Sequence, residues 1–203
     1  MTTYTPDPRF PVWAGLGIFA LAASLAGANM HAAETKVPVT FSGGHETDPK
    51  DGGRPVVLVA AALEVKPEVF RQAFSSVRPA KNGKPSAEEA RSNKAALMKV
   101  LQPCGVTNER LDEVSNYYRY QPQRGDLWTN TPAKAYAVVE GGKIKEVVVT
   151  EPGSGYSTPP KATVQGLETV PLKATVQFAK DLKKNGAVSS VEVATAERPK
   201  TGS

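Results

Sequence analysis

Three groups of residues in this chain carry side chains able to do chemistry. The first is His45 with Cys104, the only cysteine in the sequence. A thiol beside an imidazole is a familiar nucleophilic pairing. Cys104, however, lies between Pro103 and Gly105 in what reads as an interhelix turn, and it can equally be a small buried hydrophobe. His45 lies in a Gly-flanked loop with no G-x-S-x-G elbow near it. No catalytic residues are expected. With two histidines in the whole chain, a zinc site of several imidazoles or a thiolate cluster is excluded.

The second group is His45, Glu46, Asp48 and Asp51. Hard cations want several oxygens, so a calcium loop is the sharp reading. Lys50 stands where a ligand is needed, and the spacing misses the EF-hand pattern. The expectation is a capped polar loop, without metal or cofactor.

The third group is the segment SNYYRYQPQRGDLW, where Tyr117, Arg119, Tyr120, Arg124 and Trp128 interleave aromatic and guanidinium groups. Such residues bury area while keeping a polar handle, and they are enriched where proteins bind partners or stack on sugar rings. These five are the candidate binding residues. Tyr118 is expected to face a helical core, and Trp128 has a second reading as packing between domains. No dinucleotide fingerprint, P-loop or metalloprotease helix is present.

The chain that must position these groups has 203 residues and a net charge of +5, without a block of like charge. Residues 1–33 read as an export leader: Arg9, an apolar run over 12–28, then Ala26 and Ala28 in A-x-A spacing. Cleavage is expected after Ala28 or Ala33. The run is short for the roughly 17–25 residues that span a bilayer, so an uncleaved anchor is the alternative. Residues 34–54 are polar and Gly-rich at their end, and read as a linker or ordered loop.

Residues 55–120 read as a helical domain. Pro55 can open a helix over 56–65, although Val56, Val57 and Val59 also suit a strand. Val69, Phe70, Ala73, Phe74 and Val77 share one face of a helix over 67–77. Ser86 and Glu89 have capping-box spacing at the start of a third helix, with Ala90, Leu97 and Leu101 on its apolar side and Pro103 stopping it. Leu111, Val114 and Tyr118 stripe a fourth over 108–119. VAAALEVKPEVFRQAF and LMKVLQPCGVTNERLDEV share a helix–turn–helix pattern. Export and the lack of clustered Arg and Lys make that pairing architectural rather than DNA-binding.

Residues 121–131 read as a connector, 132–195 as a β module and 196–203 as a disordered tail. AKAYAVV and KIKEVVV join across Gly141-Gly142 as a hairpin. A strand follows at Lys161–Val164, and KATVQFAKDLKKNGAVSSVEV repeats the strand–turn–strand pattern. This module, through Gly141, Ile144, Val147, Val149, Gly153, Gly155, Tyr156 and Pro159, resembles the Gly-Ser-Gly-Tyr β-repeat of bacterial exported proteins and phage tail or fibre proteins. The resemblance covers about a third of the chain and implies a β-rich structural module. The second copy lacks its Gly-Ser-Gly-Tyr.

The expected fold is α+β: a small four-helix N-terminal domain followed by an antiparallel β-hairpin or meander module. The expected function is a non-catalytic binding or structural protein of the cell envelope. Its partner is a protein or an envelope polymer, not nucleic acid, with membrane contact only if the leader is uncleaved. The alternatives are a small exported enzyme using thiol or acidic chemistry, or an accessory or inhibitory subunit of a secreted enzyme.

Overall fold

A computed structural model describes residues 33–78, 85–119 and 127–194. Residues 1–32, where the export leader is expected, Tyr120 and Arg124, and residues 195–203 lie outside the described residues. No described helix is long and apolar enough to cross a membrane.

The fold is α+β, with antiparallel sheets and four helices. Its first element corrects the expectation of a linker at 34–54. β1 occupies Thr35–Ser42, and Val37, Val39 and Phe41 point to one face by strand alternation. β1 sits inside a four-stranded sheet of order β3-β2-β1-β4. It pairs antiparallel with β2 (Lys134–Glu140) through Val37↔Ala137 and with β4 (Lys161–Val164) through Phe41↔Ala162.

β2 and β3 (Lys143–Glu151) form the expected hairpin. Gly141 and Gly142 both have positive φ, 55° and 74°, the pair of left-handed residues a tight two-residue turn requires. β5 (Leu172–Gln177) and β6 (Ala187–Val193) form the second hairpin. β5 lies beside β4 and β6 beside β3, so this hairpin covers the two open edges of the curled sheet. The Val188 N–H donates to the Pro152 carbonyl across that seam.

The curl has a local cause. The β2–β3 hairpin contains two β-bulges and the β5–β6 hairpin one, where one strand carries an extra residue and twist increases. Two of the extra residues, Thr150 and Ser189, donate their hydroxyls to carbonyls of the facing strand, Lys134 and Thr175. A bulge also explains why Val188 and Val191, three apart, are both buried. The enclosed core is built of small side chains, among them Ala135, Ala137, Ala162, Ala174 and Val164.

The β elements divide into two similar halves, each a strand followed by a hairpin: β1 with β2–β3, and β4 with β5–β6. In the second half the strand reaches its hairpin through residues 165–171. In the first half residues 43–133 intervene, and they hold every described helix. The helical region is therefore an insertion within the β framework, not a domain that precedes it.

The insertion contains α1 (Val56–Ala62), α2 (Pro67–Ser75), α3 (Ala87–Leu101) and α4 (Asn108–Tyr117). The Ser86–Glu89 capping box forms, and Thr107 caps α4. Both helix pairs turn by the same hydrogen-bond pattern. The Val65 N–H donates to Ala60 O and Glu64 N–H to Ala61 O, just as Val106 N–H donates to Leu101 O and Gly105 N–H to Gln102 O. α1 ends at Ala62 rather than 65 because Glu64 takes φ 57°, in the place Gly105 holds in the second pair. Leu58, Phe70, Leu101, Leu111 and Val114 fill the helical core, while Ala90 is exposed.

Candidate functional site

The Gly-Ser-Gly-Tyr turn is the hub that joins helical and β parts. Ser154 exchanges two backbone hydrogen bonds with Thr131, Gly155 N–H donates to Asn185 O, and Tyr156 N–H donates to Gly186 O. Gly155 has φ 84°, and a Cβ there would lie 2.7 Å from the Asn130 Cβ, so the turn needs glycine. The buried Tyr156 hydroxyl accepts from the Ala133 N–H at 3.0 Å.

That hub absorbs two residues from the sequence-derived candidates. Trp128 is 2% exposed in the helical core, and its indole N–H donates to Gly155 O at 2.8 Å. It offers no ring face to a sugar, and its surroundings match the packing reading. His45 stacks on Tyr156 with ring centroids 5.1 Å apart and tilts against Trp128 at 5.9 Å. Its Nε2 is buried without a hydrogen-bond partner among the described residues. Burial holds this imidazole below its ordinary pKa, against the opposing pull of Glu46 and the Gly43 backbone.

The remaining candidates do not converge. Tyr117 packs edge-on against the buried Tyr118 at 5.0 Å. Arg119 is exposed and donates to Asn116 Oδ1. The Tyr118 hydroxyl is buried beside Asn185, whose amide bonds Leu58 O and Ala179 N–H, and it makes no well-formed hydrogen bond among the described residues. Cys104 is exposed, not a buried hydrophobe, and its Sγ faces the Val100 carbonyl at 3.7 Å. The thiol and the His45 imidazole share no hydrogen bond.

The acidic group after His45 is split among separate tasks. Glu46 accepts from the Gly44 N–H and from the Thr158 hydroxyl, and the latter bond leads in holding its pKa below the ordinary carboxylate value. Asp48 caps the Lys50 N–H and pairs with its ammonium. Asp51 is buried and held by two parallel bonds from Arg71, Nε to Oδ1 at 2.8 Å and Nη2 to Oδ2 at 2.9 Å. No group of three or more His, Cys, Asp or Glu is placed to share a cation among the described residues.

These pairings do not include Arg54, which also borders the acidic group. Its guanidinium lies over the Phe74 ring, 4.0 Å from the centroid, and Nη1 donates to the Asp51 carbonyl at 2.8 Å. Among the described residues no carboxylate lies within ion-pairing distance of it. Burial pulls its pKa down, with Asp51 acting the other way, yet an arginine remains charged.

Arg54 stands between two lobes of a surface groove. The larger, about 500 Å³, runs from Glu46 and Asp48 past Val57 to Thr158. The smaller, about 310 Å³, is bounded by Lys50, Val56, Arg71, Phe74 and Ser75. The groove combines fixed charges with an apolar wall, and at one end of the larger lobe the Thr158 hydroxyl donates to the Glu46 carboxylate. Sequence reasoning missed Arg54, Arg71 and Phe74. No local signal shows that Arg71 neutralises Asp51 from 20 positions away while Arg54, three positions away, does not.

No protein-family model matches the chain, and no curated protein or solved structure matches it.

Proposed function

We propose that the protein is an exported, non-catalytic binding or structural protein of the cell envelope, and that a partner docks a charged group in the groove beside Arg54. The leader-like composition of residues 1–33 supports export. The resemblance of the hairpin and its Gly-Ser-Gly-Tyr turn to repeats of exported and phage fibre proteins supports a framework role for the β part. The helical insertion, with the groove at its start, is then the part that framework presents. The observation that carries the reading is the Arg54 guanidinium, half-buried on Phe74 without a carboxylate partner among the described residues. A half-buried guanidinium is only partly hydrated, and a ligand anion would supply the carboxylate-type partner it lacks.

Two measurements test this. Protein recovered from its native cell should begin at Asn29 or Glu34. Wild-type protein should retain a protein or polymer from envelope extracts that Arg54→Gln releases. Equal retention by both forms, or an intact Met1 with cytoplasmic fractionation, overturns the proposal.

A further inference from the structure

We propose that the smaller lobe of the groove binds a single carboxylate carried on an apolar group, such as a free peptide C-terminus with an aliphatic side chain. The inference rests on the reading of the groove as a binding site and adds the chemistry of what enters it.

Charge comes first. Lys50, Arg54 and Arg71 border this lobe with one carboxylate, Asp51. Arg71 satisfies that carboxylate bidentately. Lys50 reaches Asp48 on the exposed side, 2.9 Å away. Glu68 and Asp48 also reach Arg71, at 3.3 and 3.9 Å, so the lobe carries no net positive excess; its attraction for an anion is local to Arg54, the bordering cation that no carboxylate among the described residues reaches.

Shape comes second. Stacking on Phe74 and the bond to Asp51 O fix the plane of the Arg54 guanidinium. Its Nε and Nη2 donors have no partner among the described residues. A fixed planar fork with free donors matches the two oxygens of a carboxylate.

The surroundings decide the rest. Val56 and Phe74 form an apolar wall against which a hydrocarbon group can bury. Glu46 and Asp48 line the adjoining lobe and repel additional negative charge. A phosphate dianion meets about twice the repulsion that a monoanionic carboxylate meets, and it has no apolar tail to bury against the wall.

The test is calorimetry and amide NMR on the full chain with four probes: N-acetyl-leucine, N-acetyl-leucinamide, hexanoate and inorganic phosphate. N-acetyl-leucine should bind at least about tenfold more tightly than its amide, as expected for a charge-assisted hydrogen bond. Hexanoate binding as tightly as N-acetyl-leucine assigns the site to carboxylates in general, and weaker hexanoate binding assigns it to peptide termini; either supports the proposal. Arg54→Gln should lose about tenfold for the acid and nothing for the amide. Acid and amide binding equally to the wild type, or phosphate binding more tightly than both acids, overturns it without reliance on any variant. If no acid binds while Arg54-dependent retention from envelope extracts persists, the carboxylate assignment fails and the groove reading stands. If both fail, both readings fall.

Discussion

The Asn185 side chain donates a 2.7 Å hydrogen bond to the Leu58 carbonyl, across 127 positions of chain. Asn185 is fully buried in the turn before β6, and Leu58 is fully buried in α1. Its Oδ1 accepts from the Ala179 N–H at 3.0 Å. One amide thus ties the helical insertion to the second hairpin, beside the Gly-Ser-Gly-Tyr hub. The insertion is clamped at its first helix as well as at its two ends.

Replacing Asn185 by Ala removes both bonds, taking the donor from the buried Leu58 carbonyl and the acceptor from the part-buried Ala179 N–H. Leaving buried polar groups unpaired costs about 1–3 kcal/mol each. Urea unfolding should show a loss of about 2–4 kcal/mol. A loss below about 0.5 kcal/mol, typical of a surface site, contradicts the clamp.

Glu64 is the one non-glycine described residue with positive φ, and its turn repeats that of Gly105. The left-handed region costs an L-residue about 1–2 kcal/mol. Among the described residues its side-chain partner is the exposed Lys180, a pair of little net value. Glu64→Gly should therefore raise stability by about 1 kcal/mol, read as a higher melting temperature.

His45 makes stability depend on pH. Burial disfavours the imidazolium, so the folded pKa lies below the unfolded value of about 6.5. The unfolded chain takes up the proton first. Stability from this site is whole above the unfolded pKa and is lost as pH falls through the folded one. The melting temperature should drop between about pH 7 and pH 5, and His45→Phe should flatten that drop. The lowered pKa of Glu46 adds a separate loss at more acid pH, below the ordinary carboxylate value of about 4.3.

Arg71 keeps Asp51 buried. The Asp51 side chain is 4% exposed, so removing its partner leaves a carboxylate away from water. Arg71→Ala should cost about 3 kcal/mol by chemical denaturation, and Arg71→Lys should recover only part, because an ammonium cannot reproduce the two parallel bonds.

Local rules made several elements legible. Gly141-Gly142 allows the tight β2–β3 turn, Pro67 opens α2, and Ser86 with Glu89 opens α3. Each is decided within a few residues. β1 was hidden although KVPVTFS alternates as a strand does, because it abuts a Gly-rich polar stretch and its partners begin at Lys134 and Lys161. Strand pairing is a long-range event, and nothing near Thr35 announces it. The aromatic segment misled for a related reason. Tyr117 and Trp128 have the composition of a binding surface, but composition does not say which way a ring turns, and the Trp128 indole turned toward Gly155.

The sequence by itself determined the caps, the hairpin turns and most of the helix stripes, and its single cysteine rules out a thiolate cluster. These depend on φ preferences, neighbouring hydrogen bonds and residue counts. Tertiary structure alone decided that the helices are inserted between β1 and β2, that His45 lies between Tyr156 and Trp128, and that Arg54 keeps an unneutralised charge. Those outcomes depend on which distant groups meet, and burial strengthens or silences a charge only once the chain has closed around it.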